Sequence, residues 1–266
     1  EERFALLKMA TGALRIGGGG PAPTSRLLAE EVPVALTYDG STQAAMMATP
    51  ADLEDFALGF SLSEGLVTAP SQIEELSVVP EAEGIELRMW LSPDRGEALS
   101  RRRRAMAGPV GCGLCGIDSL AEATRTLPRV TAQPGLSLDR IAAATAMLRA
   151  AQPLHDETRA VHAAGFLTPE GPILAREDVG RHNALDKVIG ALARAGTDPA
   201  LGAFVLTSRI SIELVQKTAL AGCGLLIAVS APPAPSPRRR RRASPSSRLP
   251  GMARPRSSPI PTASPA

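Results

Sequence analysis

The sequence predicts a mixed α/β protein, α+β overall, in which a three-layer α/β domain follows a smaller β-rich part. Three observations carry this. Residues 173 to 230 alternate between strand and helix patterns: strand 173–176, helix 183–195, strand 203–207, helix 211–221 and strand 224–230. That β-α-β-α-β order predicts a sheet with parallel pairing, covered by helices. Residues 31 to 91 instead hold short apolar runs broken by turn signals, with one helix among them. Hydrophobic residues make up 44% of the chain and aromatics only 3%, so the core is aliphatic, and 266 residues are enough to bury it.

Residues 1 to 30 contain Gly17-Gly18-Gly19-Gly20-Pro21 and no clear periodicity, which predicts a flexible arm. Val32 to Tyr38 reads as a strand, and Asp39-Gly40 as the turn of a hairpin into Ser41 to Met47. Thr49-Pro50-Ala51-Asp52 reads as a helix start, with Thr49 as N-cap and Pro50 at the first helical position. The inner face of that helix is Leu53, Phe56, Ala57 and Phe60, and Gly65 ends it. Ile73 to Val79 and Ile85 to Leu91 are two further strands around Glu83-Gly84. Ser137 caps a helix with apolar positions Leu138, Ile141, Ala142, Thr145 and Leu148, and residues 160 to 167 alternate like a strand. The domain reading is thus an arm at 1–30, a β-rich part at 31–135, an α/β domain at 136–231 and a tail at 232–266.

The tail holds ten prolines, eight arginines, seven serines and no acid, a composition that cannot form a packed element. It reads either as a disordered basic tail or as the product of a frameshift. The net charge of +2 for the whole chain becomes about −6 once those arginines are set aside. An acidic, aromatic-poor body argues against a nucleic-acid partner. Three cysteines make no disulfide framework, and no apolar run is long enough to span a membrane, which predicts a cytoplasmic protein with no membrane partner.

The stretch richest in chemistry is Gly111-Cys112-Gly113-Leu114-Cys115-Gly116. Two thiols at CxxC spacing sit between glycines, just before a helix that Asp118 would cap, where the helix dipole favours thiolate. Arg101 to Arg104 precede them: by default a solvated surface, beside thiols a source of lower thiol pKa. Half of a zinc site, a redox pair and a reactive thiol pair all fit CxxC. The zinc reading needs two more ligands, and only Cys223 and three histidines remain, none at finger spacing. A sulfur nucleophile or carrier is the reading the residues favour.

In α/β sheets ligands bind beyond the carboxyl ends of the strands. Here those ends are Arg176 to Asn183, Thr207-Ser208-Arg209 and Ser230. Arg176, Arg181, His182 and Arg209 are the candidates for contact with an anionic ligand, because guanidinium groups bind phosphate bidentately. Asn183 and Ser211 are explained equally well as helix caps, and His162 lies on a strand that could face the same edge. No P-loop, GxGxxG, HExxH or GxSxG motif is present.

Taken together these motifs resemble the FdhD/NarQ family of sulfurtransferases required for active formate dehydrogenases. The similarity rests on Glu31-Val32-Pro33-Val34, Met47 to Phe60 with Ser63-Glu64-Gly65, the 111–116 loop, His162-Ala163-Ala164, Arg176 to Gly190, Ser211 to Lys217 and Ala228 to Pro232. The resemblance implies a cytidine-deaminase-like fold and a homodimer. It also implies a persulfide on Cys112, with Cys115 as its partner. Sulfur would come from a cysteine desulfurase and pass to the molybdenum or tungsten of a bis(molybdopterin guanine dinucleotide) cofactor for formate dehydrogenase, with no permanently bound cofactor or metal. Two rivals remain: a non-catalytic chaperone that binds the same cofactor, and a zinc deaminase. The deaminase needs a His-x-Glu signature, whereas His162 is followed by Ala163-Ala164.

Overall fold

The computed structural model describes residues 8–17, 20–97, 99, 126–131 and 133–230. The CxxC loop, the Arg101–Arg104 run, the helix expected from Asp118 and the tail lie outside the described residues.

The first element corrects the arm reading. Strands β1 (Lys8–Gly17) and β2 (Gly20–Ala29) pair antiparallel from Lys8↔Ala29 to Gly17↔Gly20. A backbone ladder holds this hairpin, and its glycine, alanine and proline content leaves no apolar alternation to read. It docks on a later helix, where Lys8 ion-pairs with Glu157 and Arg26 donates to the Thr158 carbonyl at 3.3 Å.

The β-rich part is a four-stranded sheet in the order β4-β3-β6-β5. Its strands are β3 (Val32–Tyr38), β4 (Ser41–Ala48), β5 (Ile73–Glu81) and β6 (Gly84–Leu91). Asp39 and Gly40 have φ of 49° and 72°, the left-handed pair that a two-residue hairpin turn needs. Every second residue of β3 and β6, Val34, Leu36 and Tyr38 with Ile85, Leu87 and Met89, is buried in one core. Helix α1 (Leu53–Ser63) closes that core with Phe56, Ala57 and Phe60.

The start of α1 differs from expectation. Its N-cap is Asp52, at φ 52° and without a side-chain cap bond. Thr49 is fully buried and takes no part in capping. Its Oγ accepts from the Val179 amide at 3.1 Å, and its own amide donates to Asp178 at 3.1 Å. The end of α1 follows the sequence, with Gly65 at φ 70° just past the last turn.

The second sheet has the order β10-β9-β7-β8. Its strands are β7 (His162–Leu167), β8 (Leu174–Asp178), β9 (Ala203–Arg209) and β10 (Leu226–Ser230). Strands β8, β9 and β10 run in the same direction as the alternating pattern requires, but only β9 and β10 pair parallel. Strand β7 lies between β8 and β9, antiparallel to both. Local periodicity gives each strand but not the neighbour that a long-range contact inserts between two of them.

Helices cover both faces of this sheet, giving the three layers. On one face Ala164, Phe166, Phe204 and Leu206 pack against α4 (Arg181–Arg194) and α5 (Ile212–Leu220). On the other, Ala163, Leu167 and Val205 meet Ala144 and Leu148 of α2 (Leu138–Ala150). Ser137 caps α2 as expected, its Oγ accepting from the Arg140 amide at 3.2 Å. The expected inner face of α2 is only partly right: Leu148 is buried, but Leu138 is 78% exposed and Ala144 takes the inner position. A short helix, α3 (Pro153–Thr158), precedes β7 and was not signalled by periodicity.

The two sheets are joined through α1 and α4, whose backbones touch. A Cβ on Gly59 would lie 1.7 Å from the Asp186 carbonyl oxygen, and one on Gly190 would lie 1.9 Å from that of Asp55. Each helix thus contributes one glycine to the crossing. No helix among the described residues is long and apolar enough to cross a membrane.

Candidate functional site

Asp178 sits at the end of β8 with no solvent exposure, as does Lys187 on the second turn of α4. They form an ion pair at 2.7 Å. The carboxylate also accepts from Thr49 N at 3.1 Å, Gly180 N at 2.7 Å and Asn183 Nδ2 at 3.0 Å, while Lys187 donates to the Thr49 carbonyl at 2.9 Å. Buried charges survive when paired and hydrogen-bonded on every side, as these are. The result is a rigid joint that fixes the Val179-Gly180 loop and the first residues of α4. Asn183 belongs to this joint, its amide also reaching the Met47 carbonyl at 2.9 Å, and Gly180 is the actual N-cap.

A second buried joint ties α5 to α1 and α4. Lys217 donates to Asp186 at 2.9 and 3.0 Å and to Ser63 at 2.9 Å, pairs with Glu64 at 2.6 Å, and lies 5.2 Å from the Phe60 ring centre. Burial raises the Asp186 pKa to about 6 against the pull of Lys217. Burial would lower the pKa of Lys217, yet Asp186 and Glu64 hold it above its ordinary value, so the ammonium stays charged.

These joints carry the carboxyl edge of the second sheet. Arg181 opens α4 beside them; its Nε is buried without a hydrogen-bond partner, and no carboxylate among the described residues forms a salt bridge with it. Next to it His182 Nε2 lies 3.3 Å from Ser211 Oγ. Burial, then the charges of Arg181 and Lys217, push the His182 pKa down to about 4, so the ring is neutral at pH 7. His162, at the start of β7, is lowered by the same causes, burial first and then Arg181. Arg209 ends β9 exposed, two residues before Ser211.

Thr207 ties β9 to β7 at this edge. Its Oγ accepts from the Ala163 amide at 2.9 Å and donates to the Ala163 carbonyl at 3.2 Å, replacing the backbone ladder that ends at Ala164↔Leu206. This pair lies at the carboxyl end of β9, the end of a strand beyond which α/β sheets bind their ligands.

The structure therefore groups Arg181, His182 and Arg209 and separates Arg176 from them. Arg176 pairs with Asp55 at 2.9 Å and Asp52 at 3.4 Å. Asp55 is also held by Arg194 at 2.9 Å, on the wall of a cleft of about 680 Å³ beside α1. A guanidinium matched by carboxylates is less available to a phosphate than one free of them, which sets Arg176 apart from the other candidates. Cys112 and Cys115 lie outside the described residues. Cys223 is buried, its thiol pKa raised by burial and its Sγ 3.5 Å from the Gly202 carbonyl, which makes it an inert thiol.

Thr207 was legible only as part of a polar strand end, and Glu213 was not among the sequence candidates. Glu213 lies in the first turn of α5; burial pulls its pKa up, but Ser211, its own backbone amide and the charge of Arg181 hold it below the usual carboxylate value. The signal available was an acid two residues after Ser211, the residue that the sequence offered as a helix cap.

The sequence pattern of the FdhD/NarQ family matches residues 29–238. A protein of Agrobacterium fabrum named sulfur carrier protein FdhD is 51% identical over 229 residues, covering 85% of this chain and 84% of that one. One of the same name from Bordetella petrii is 50% identical over 224 residues, 83% and 81% of the two chains. A solved structure from Desulfotalea psychrophila, assigned as a formate dehydrogenase accessory protein, superposes with a TM-score of 0.67 at 22% identity, over 86% of each chain. That likeness concerns the fold. Sequence identity near one half over most of the length settles descent, and the chain belongs to the FdhD/NarQ family.

Proposed function

We propose that the chain is a sulfur carrier that relays persulfide sulfur from a cysteine desulfurase to the metal of a bis(molybdopterin guanine dinucleotide) cofactor destined for formate dehydrogenase. Its relatives carry the name sulfur carrier protein, and the CxxC pair supplies the thiols. The observation that carries the reading is the sheet edge, where Arg181 and Arg209 form no salt bridge among the described residues and stand near a neutral His182. Guanidinium groups free of salt bridges at the carboxyl ends of strands suit the phosphates of an anionic dinucleotide.

In this scheme the Cys112 thiolate attacks the terminal sulfur of the desulfurase persulfide. The S–S bond breaks, the desulfurase thiolate leaves, and Cys112 holds the persulfide. Attack by the Cys115 thiolate on the inner sulfur then closes a Cys112–Cys115 disulfide and releases hydrosulfide to the cofactor. The thiol pair supplies the two electrons, and a dithiol reductant resets it. The dinucleotide is held meanwhile at the Arg181 edge, which keeps sulfur acceptor and donor on one protein.

A cofactor-binding chaperone would use the same edge and no thiol, so Cys112 separates the two. Cells lacking the carrier and supplied with Cys112→Ala should show no formate dehydrogenase activity above background, with the variant folded and present at wild-type level. Full activity in that strain would remove the relay and leave the chaperone.

A further inference from the structure

The second sheet ends on one side at β8, which pairs with β7 and with no other strand among the described residues. Which of its backbone groups face outward follows from Thr207. The Thr207 Oγ meets both the amide and the carbonyl of Ala163, so those groups of β7 point to β9. Hydrogen bonding alternates along an antiparallel pair, and Glu177, opposite Ala163, therefore points its amide and carbonyl away from β7. Ala175, two residues earlier, does the same. Its carbonyl accepts from the neighbouring Arg176 Nη1 at 3.0 Å, and no backbone hydrogen bond among the described residues reaches either outward amide. Such an edge is a template for one more strand.

The edge runs between two clefts. Leu174 and Arg176 line the cleft of about 680 Å³ beside α1, and Ala175 and Glu177 line a second one of about 370 Å³ beside α3. Side chains of a strand laid on β8 would alternate between them, as those of β8 itself do. The first cleft holds three carboxylates, Asp52, Glu54 and Asp55, against two guanidinium groups, Arg176 and Arg194, so one negative charge is in excess. The second is walled by Ala151, Pro153 and Leu154. Its Glu157 is matched by Lys8, and its Glu177 by the Leu154 and His155 amides, both at 2.8 Å. None of Arg181, His182 and Arg209 lines either cleft.

We propose that the free edge of β8 binds an extended segment of a partner protein by strand addition, with basic side chains turned toward Asp52 and Glu54 and apolar ones toward Pro153 and Leu154. Backbone bonds to Ala175 and Glu177 supply the affinity, and the two clefts select the sequence.

The probe is a short, capped, fluorescent peptide of alternating arginine and leucine, and the measurement is its anisotropy with the full chain at fixed salt. The controls are a block peptide of the same composition and the alternating peptide with its backbone amides N-methylated. The alternating peptide should bind at least about tenfold more tightly than either control, the worth of one or two backbone hydrogen bonds. Ala175→Pro removes one outward N–H and no bond to β7, a position where strands tolerate proline. It should weaken binding at least about tenfold with the fold intact. Should that variant melt early, Glu54→Lys reverses the excess charge of the first cleft; it should weaken the arginine peptide at least about fivefold and favour one with glutamate in its place. Equal binding of the alternating and block peptides, wild-type affinity in folded Ala175→Pro, or no binding by the folded chain would overturn the proposal. A changed oligomeric state in Ala175→Pro would give the edge to a second copy. Binding seen only after removal of residues 1–7 would give it to the segment before Lys8, which lines the second cleft. Either result overturns the assignment to a partner protein.

Discussion

His182 is neutral in the folded protein because its ring is largely buried beside Arg181 and Lys217, and this has a measurable consequence for stability. Its pKa is about 4 in the fold against an ordinary 6.5. Between those values the unfolded chain binds more protons than the folded one, so this group makes stability rise as pH rises from about 4 to 6.5. Asp186, raised from 3.8 to about 6, works the other way, since the fold holds a proton that the unfolded chain has lost. His182→Gln removes only the first contribution. Urea melts should show wild type gaining on the variant as pH rises from 4 to 6.5 and a constant difference above; a constant difference throughout would contradict the burial argument. The residue scale is also where the sequence was least legible. Arg181, His182 and Arg209 were readable as polar residues at strand ends, and the fold does bring them to one edge. Arg176 met the same criterion, but its partner Asp55 lies 121 positions away in sequence, and no local pattern announces such a pairing.

The elements were legible wherever a local rule applied. The Asp39-Gly40 turn, the Gly65 stop and the Ser137 cap all stand where turn and cap chemistry puts them. Thr49 failed because a stronger claim, the Asp178 carboxylate and the Val179 amide, drew it away from capping. The crossing of α1 and α4 depends on two glycines that a sequence scan reads only as weak helix formers. Their role is contact: Gly59→Ala would drive a methyl group into the Asp186 carbonyl, which belongs to the backbone and cannot swing aside. Gly59→Ala should cost about 3 kcal/mol or more, seen as a lower urea midpoint, even though alanine is the better helix former. Unchanged or increased stability would show that the helices can separate without loss. Separation would also move Lys187 and Asp186, and with them the mouth of α4.

At the scale of the whole molecule the layers were readable and the wiring was not. Strand and helix alternation after residue 173 predicted three layers, and the two apolar clusters on opposite faces of the second sheet confirm them. The insertion of β7 between β8 and β9 is a long-range choice that periodicity cannot encode, and it is what brings Thr207 to the Ala163 backbone at the edge. The proposed relay joins an anion-binding edge on one sheet to a thiol pair known from the sequence, and its central claim is that Cys112 carries sulfur. The most direct measurement is mass spectrometry of the peptide holding Cys112 and Cys115 after incubation with a cysteine desulfurase and cysteine, alongside Cys112→Ala. The wild-type peptide should gain the mass of one added sulfur, removable by a reducing thiol and missing from the variant. A folded wild-type protein that gains no sulfur, or a Cys112→Ala peptide that gains it equally, would contradict the relay.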